Sequence, residues 1–324
     1  MRGYDKLLPF FEEHLEKQKF DHDPYELYAP IAYTLKLGGK RIRPVLTLMA
    51  CEMFGGYAKD ALPQAIAIEL FHNFTLIHDD IMDDAPLRRG EESVYKKWNS
   101  NIAILSGDTL FALAYQYAQQ AEKEILPDIL NVFNKTAIEV CEGQQYDLNY
   151  ETENNVTVDG YIEMIRLKTA VLFGASLKIG ALIGGASVED AKNLYNFGLN
   201  IGLGFQLKDD LLDTFGDEQV FGKKTGGDIL TNKKTFLFLK ALETAEPNDA
   251  AELLELYNCT SSNPKQKVKR VVEIFKNLKV FKAADKEIDK FFNKGIASLD
   301  RVNADEDKKD KIREVAHKMI DRDK

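Results

Sequence analysis

Two short segments of the 324-residue chain share one acidic spacing: "HDDIMDD" holds Asp79, Asp80 and Asp83, and "LKDDLLDTFGD" holds Asp209, Asp210 and Asp213. On a helix, D-D-x-x-D sets its first and last aspartates four residues apart on one face. Like charges at that spacing cost roughly a few tenths of a kcal/mol per pair. Both clusters also close an apolar run, where the helix dipole disfavours anions. A divalent cation reverses that balance. Mg²⁺ prefers carboxylate oxygens and is held by one or two of them together with waters and substrate phosphates. One such cluster alone is also what an ordinary solvated helix end looks like. Two of them, each behind an apolar stripe and each with cations nearby, point to facing helices that hold several Mg²⁺ ions with a phosphate between them.

The basic residues suggest where phosphates go. "LGGKRIRP" sets Lys40, Arg41 and Arg43 just after a glycine pair, where amides and side chains can surround an anion. A basic helix start after a glycine turn is the plainer alternative. Arg88 and Arg89 follow the first acidic cluster in a Pro-containing loop, and Lys168, Lys223 and Lys233 lie near Gly, Thr or Asp in the second half. His72 stands two turns before Asp79 on the same face; a lone helical histidine is more often a packing residue, but this one aligns with the acidic face. The layout implies one metal-bridged anion site and one metal-free site held by Lys40, Arg43, His72 and Arg89. Two diphosphate substrates would fill them.

Helices must carry these groups. Ile66, Leu70, Phe74, Ile77 and Ile81 recur at three and four, and the runs 101–125 and 187–217 keep the same rhythm. No series of alternating strands is found. The nine prolines are expected where helices start or break, with Pro24, Pro44, Pro63, Pro86, Pro127, Pro247 and Pro264 dividing periodic segments. Several helices should exceed about 20 residues, which favours one large bundle. No linker divides the chain, so residues 1–324 are expected to form one domain. "TAEPNDAAELLELYNCTSSNPKQK" holds one short helix between loops, and the charged tail after it reads as a solvated helix face.

Bulk properties narrow the function. A net charge of −9 argues against a nucleic-acid binder with a broad basic surface. Three separated cysteines (Cys51, Cys141, Cys259) make no CxxC pair and suit a reducing cytoplasm. The N-terminus is an amphipathic helix with acids too early for a signal-peptide core. No apolar run reaches about 18 residues, so no membrane anchor is expected.

With these residues assembled, the sequence resembles the trans-polyprenyl diphosphate synthases of short-chain type, which make geranylgeranyl or farnesyl diphosphate. The resemblance runs from Gly38 to Lys233 through "GGKRIRP", "LIHDDIMDDAPLRRG", the "KT" of "RLKTAVLFG", "GFQLKDDLLDTFGD" and "GKKTGGDILTNKKT", in the family's order. It implies an all-α isoprenoid-synthase fold, a large helical bundle around a central cavity, and a homodimer with several Mg²⁺ ions per active site. The implied reaction joins isopentenyl diphosphate to an allylic diphosphate (dimethylallyl, geranyl or farnesyl). By resemblance, Asp79, Asp80, Asp83, Asp209, Asp210 and Asp213 hold Mg²⁺ on the allylic diphosphate, which Arg88, Lys168, Lys223 and Lys233 also bind. Lys40, Arg43, His72 and Arg89 match the isopentenyl diphosphate site, with Phe205 near it. Thr169 and Gln206 match residues beside the developing allylic cation.

Asp84 adds a fourth acid, ligand or spectator, and Lys224 is an alternative register for Lys223. Phe74 and Thr75 fall at the family's chain-length positions, with Phe71 a turn below; an aromatic followed by a smaller residue implies a C20 product, with C15 next. Plain core packing is the alternative for both phenylalanines. A class I terpene cyclase would need no isopentenyl site. A non-catalytic regulatory subunit usually loses one aspartate motif, and both survive here.

Overall fold

The computed structural model describes residues 1–153, 155–216, 225–258 and 263–321. Its fold is all-α, the class the sequence implies. Backbone contacts divide the chain into two compact units. The first comprises Met1–Lys135, Ala175–Tyr195 and Val302–Ile312; the second comprises Thr136–Gly174, Asn196–Arg301 and Arg313–Lys324.

The first unit contains α1 (Tyr4–Glu16), α2 (Tyr25–Lys36), α3 (Ile42–Met53), α4 (Leu62–Met82), the short strands β1 (Leu87–Arg88) and β2 (Glu91–Glu92), α5 (Val94–Lys97) and α6 (Ser100–Ala118). α4 packs on α3 and α6 and buries Ile66, Leu70 and Ile77 as its spacing predicts, but it also buries Gln64, Glu69 and Asn73. A buried carboxylate needs partners. Glu69 takes the guanidinium of Arg41 and, at 3.0 Å, the Asn73 amide.

The chain continues through α7 (Leu126–Thr152), α8 (Val158–Ile165), a π-helical turn (Arg166–Ala170), α9 (Val171–Ile183) and α10 (Val188–Phe215). Then come α11 (Gly227–Leu230), α12 (Phe236–Thr244), α13 (Pro247–Asn258), α14 (Pro264–Asn277), α15 (Val280–Asp300) and α16 (Glu306–Ile320). The core of the second unit gathers Leu203, Leu207 and Leu211 of α10 with Phe236, Phe238, Phe275 and Ile288. That i, i+4 stripe fixes the roll of α10 and so the direction of the acidic residues beside it.

α4 and α10 run 21 and 28 residues, as their periodic segments predict, α7 and α15 reach 27 and 21, and the 101–125 run stops as a helix at Ala118. Pro63, Pro127, Pro247 and Pro264 stand in first turns, where proline costs no intrahelical bond. Pro9 and Pro30 depart from the expectation for the nine prolines, because they lie inside α1 and α2. There the burial of Leu7, Phe11 and Leu15, and of Ile31, Thr34 and Leu35, outweighs the missing backbone donor. The tail helix α16 buries Ile312, Val315, Ala316 and Met319. Lys309 of the same helix is buried and pairs with the exposed Glu306. No helix among the described residues is long and apolar enough to cross a membrane.

Candidate active site

The first acidic cluster sits at the C-terminal end of α4, with Asp83 capping the helix. Asp79 and Asp83 are half-buried, whereas Asp80 turns inward at 3% exposure. Its carboxylate accepts from two nitrogens of Arg88, one of them Nε at 3.0 Å. Desolvation pushes the Asp80 carboxyl up and Arg88 pulls it back. Asp84 follows with positive φ and faces away, accepting from the Tyr95 hydroxyl (2.8 Å) and pairing with Lys96. Both of these partners lie outside the acidic cluster.

The loop after α4 is a tight hairpin, where the sequence alone indicates only a Pro-containing loop. Leu87 pairs with Glu92 and Arg88 with Glu91, leaving Arg89–Gly90 as a two-residue turn. Both turn residues have positive φ, as a type I′ hairpin requires. The hairpin sends Arg89 to the Gly38 carbonyl, against the loop that bears exposed Lys40. Arg43 Nη1 lies 3.3 Å from His72 Nε2. Burial, then the charges of Arg43, Arg89, Arg88 and Arg41, hold the His72 pKa well below its usual value. The ring is therefore neutral and its Nε2 accepts from Arg43. Lys40, Arg43, His72 and Arg89 thus share one basic neighbourhood in the first unit.

Below the aspartates, aromatic rings close on one another. Phe71 and Phe74 have centroids 5.5 Å apart, and Phe111 stands 5.0 Å from Phe74. Tyr115 and Phe133 complete the group, with Phe133 5.6 Å from Phe71. Thr75 Oγ1 donates to the His72 carbonyl at 2.8 Å. Phe71 is 1% exposed and Phe74 half-buried, so Phe74 is the more open of the two.

In the second unit a cavity is lined by Lys168, Thr169, Gln206, Asp210 and Lys233, together with Asp147, Tyr161, Asp228 and Lys234. Lys168 and Thr169 stand on the π-helical turn, a wider coil that often marks functional positions. α7 crosses that turn at Gly143, where any Cβ would collide with the Lys168 backbone. Lys168 Nζ pairs with Asp147 Oδ2 at 2.5 Å. Thr169 Oγ1 donates to Gln206 Oε1 (3.2 Å), which turns the Gln206 amide nitrogen toward Asp210 Oδ1 (3.1 Å). Asp210 also accepts from the Tyr161 hydroxyl. Asp213 Oδ2 accepts the Asp228 backbone N–H at 3.0 Å, and Lys233 N–H donates to the Asp228 carbonyl at 2.9 Å. Asp209 is half-buried on α10, and Phe205 stacks at 5.4 Å from Phe173. Lys223 and its alternative Lys224 lie outside the described residues, as does Cys259.

Burial, then repulsion from Asp228, pushes Asp210 well above the carboxylate range; burial and Asp213 push Asp228 up to about 7. Carboxylates raised in this way are a demand for cation charge. Among the described residues no three His, Cys, Asp or Glu side chains form an enclosed metal cage. Small sets of carboxylates, completed by water and phosphate oxygens, are the manner in which Mg²⁺ is bound, so the donor set fits that ion.

Sequence reasoning passed over Tyr161, Asp147, Asp228 and Lys234. Asp228 stands inside a quoted motif and was the most findable. Lys234 caps α7, donating to the carbonyls of Tyr150 (2.8 Å) and Glu153 (2.5 Å), and no local pattern announces that. Phe111 and Phe133 were also missed, since they reach the Phe74 and Phe71 rings from other helices.

The family model described as polyprenyl synthetase matches residues 24–275. A geranylgeranyl diphosphate synthase of Methanosarcina mazei is 46% identical over 222 residues, 68% of each chain. A short chain isoprenyl diphosphate synthase of Methanothermobacter thermautotrophicus is 40% identical over 85% of this chain and 83% of its own. Among solved structures, a geranylgeranyl pyrophosphate synthase superposes with a TM-score of 0.94 at 42% identity, covering 100% of both chains.

Proposed function

The chain belongs to the polyprenyl synthetase family and is a chain-elongating prenyltransferase, and on that premise we propose that it condenses an allylic diphosphate with isopentenyl diphosphate to give geranylgeranyl diphosphate. The family match carries this reading; relatives named for the C20 product support the length. The Phe71–Phe74–Phe111 stack below the first aspartates supports it independently, because bulky rings limit how far a growing chain extends.

Each group has a physical task. Asp79, Asp80, Asp83, Asp209, Asp210 and Asp213 would hold Mg²⁺, which when bound would supply positive charge against the departing diphosphate and so lower the barrier to breaking the allylic C–O bond. Arg88, Lys168 and Lys233 add fixed positive charge to that diphosphate. Lys40, Arg43, His72 and Arg89 hold isopentenyl diphosphate without metal. The Thr169 hydroxyl and the Gln206 amide present their dipoles to the allylic cation left behind. The buried rings keep water from it, and Phe205 stands near the isopentenyl diphosphate. The isopentenyl double bond attacks, a C–C bond forms, and the proton leaves to the released diphosphate. No nucleophilic Ser or Cys is needed. A homodimer in the cytoplasm is carried from the resemblance.

Incubation with isopentenyl diphosphate, an allylic primer and Mg²⁺, followed by product chromatography, tests the reading. Prenyl diphosphates ending at C20 support it. Hydrocarbon release would replace it with a cyclase, and silence in the absence of a second subunit with a regulatory chain.

A further inference from the structure

The loop that carries Lys40 has no regular structure to hold it. Gly38, Gly39 and Arg41 all have positive φ, at 75°, 132° and 44°. Glycine accepts that region; arginine does so only when its surroundings impose it. Gly39 has a second reason to be glycine, because a Cβ there would meet the Arg89 guanidinium within 3.0 Å.

Three carbonyls in or beside this loop are tied by side chains. Arg41 Nη2 donates to Leu35 at 2.5 Å, Arg89 donates to Gly38, and the Tyr4 hydroxyl donates to Lys40. The first two ties come from residues already in the basic neighbourhood. The third comes from α1, ahead of residue 24, where the family model begins.

Tyr4 is itself held in place. The Arg2 backbone N–H and Nε donate to the two oxygens of Glu52, at 2.6 and 2.7 Å, and Lys311 Nζ donates to the Met1 carbonyl at 2.5 Å. α1 buries Leu7, Phe11 and Leu15 and packs on α3, the helix that bears Arg43 in its first turn. Burial, reinforced by Glu12, pushes the Tyr4 hydroxyl up to about 12, so it keeps its proton at any working pH.

We propose that Tyr4 is a positioning residue of the metal-free diphosphate site: by donating to the Lys40 carbonyl it fixes the peptide from which the Lys40 side chain departs. The inference rests on assigning isopentenyl diphosphate to Lys40, Arg43, His72 and Arg89. Tyr4 acts through the backbone and touches no substrate. Its loss should therefore appear in the binding of one substrate and leave the other, and the turnover step, as they were.

The test is steady-state kinetics of the full chain with Mg²⁺, comparing wild type, Tyr4→Phe and Lys40→Ala, with melting temperatures alongside. Tyr4→Phe keeps the ring and removes only the donor. It should raise KM for isopentenyl diphosphate about five- to tenfold, the scale of one hydrogen bond, with kcat and the allylic KM within about twofold. Its melting temperature should stay within about 2 °C. The proposal is overturned if Lys40→Ala raises that KM while Tyr4→Phe leaves it unchanged. A parallel loss of kcat, both KM values and melting temperature also overturns it, since that describes a merely structural tyrosine. If Lys40→Ala itself leaves the isopentenyl KM unaltered, the site assignment fails and the Tyr4 inference falls with it.

Discussion

Asp80 and Asp210 hold the same place in the same motif, and both are buried, at 3% and 4% exposure. Their surroundings differ. Asp80 receives a guanidinium from Arg88, eight residues on along the same turn of chain. Asp210 receives a phenol and an amide, from Tyr161 and Gln206, with Asp228 adding like charge. The first acid carries its own counter-ion, whereas among the described residues the hydrogen-bond donors to the second, Tyr161 and Gln206, are neutral. Spacing directs the carboxylates; neighbours decide what charge they can bear.

Metal removal is the largest test, and it applies to both clusters alike. Neither Arg88 nor the Asp210 donors match several divalent ions, so chelation should cut product formation by more than about 10³-fold, recovered on adding Mg²⁺. Turnover surviving exhaustive chelation would remove the shared premise.

The contrast itself is tested by taking one partner from each acid. Arg88→Ala leaves Asp80 buried without a counter-ion. A fully buried pair would cost about 3–5 kcal/mol, and the partial exposure of Arg88 reduces this to about 2 kcal/mol. Tyr161→Phe removes one neutral donor from Asp210, costing about 1 kcal/mol. Urea melts of both variants in chelator rank the two losses; equal costs or the reverse order break the comparison.

Phe74 and Phe205 should also separate in product control. Phe74→Ala opens the ring stack and should lengthen the product by at least one isoprene unit, read by chromatography. Phe205→Ala should raise the isopentenyl KM and leave length unchanged. An unaltered profile for Phe74→Ala would remove it as the floor.

The smallest effect is a pH slope confined to the first unit. His72 is held neutral in the folded chain, while the unfolded chain takes up a proton below about pH 6.5. Stability is therefore fully present above about pH 6.5 and declines as pH falls toward the lowered folded value. His72→Gln should flatten that decline in melts between roughly pH 6.5 and 5. A slope identical to wild type would mean that the ring charges freely in the folded state.

Much of this was legible before any fold. Period 3.6 with apolar stripes gave the long helices, and the two aspartate clusters and the basic sets announced a phosphate chemistry. The hairpin was hidden because Arg89 adopts a positive φ that its residue type does not advertise. The π turn was hidden because "RLKTA" reads as ordinary helix until α7 meets it at Gly143. Pro9 and Pro30 misled because tertiary burial overrode a local rule.

The sequence by itself determined which residues are charged, which face of each helix they share and which chemistry that set can perform, because these follow from residue type and local periodicity. Only the tertiary structure decided their partners: Tyr161 for Asp210 across 49 positions, Lys234 for the end of α7 across 84, and Tyr4 for Lys40 across 36. Such contacts depend on where the core rolls each helix, and no local pattern encodes that. Burial and those partners then set the state of each acid and base, which is why Asp84 is paired outside the cluster and Asp210 is a carboxyl that calls for a cation.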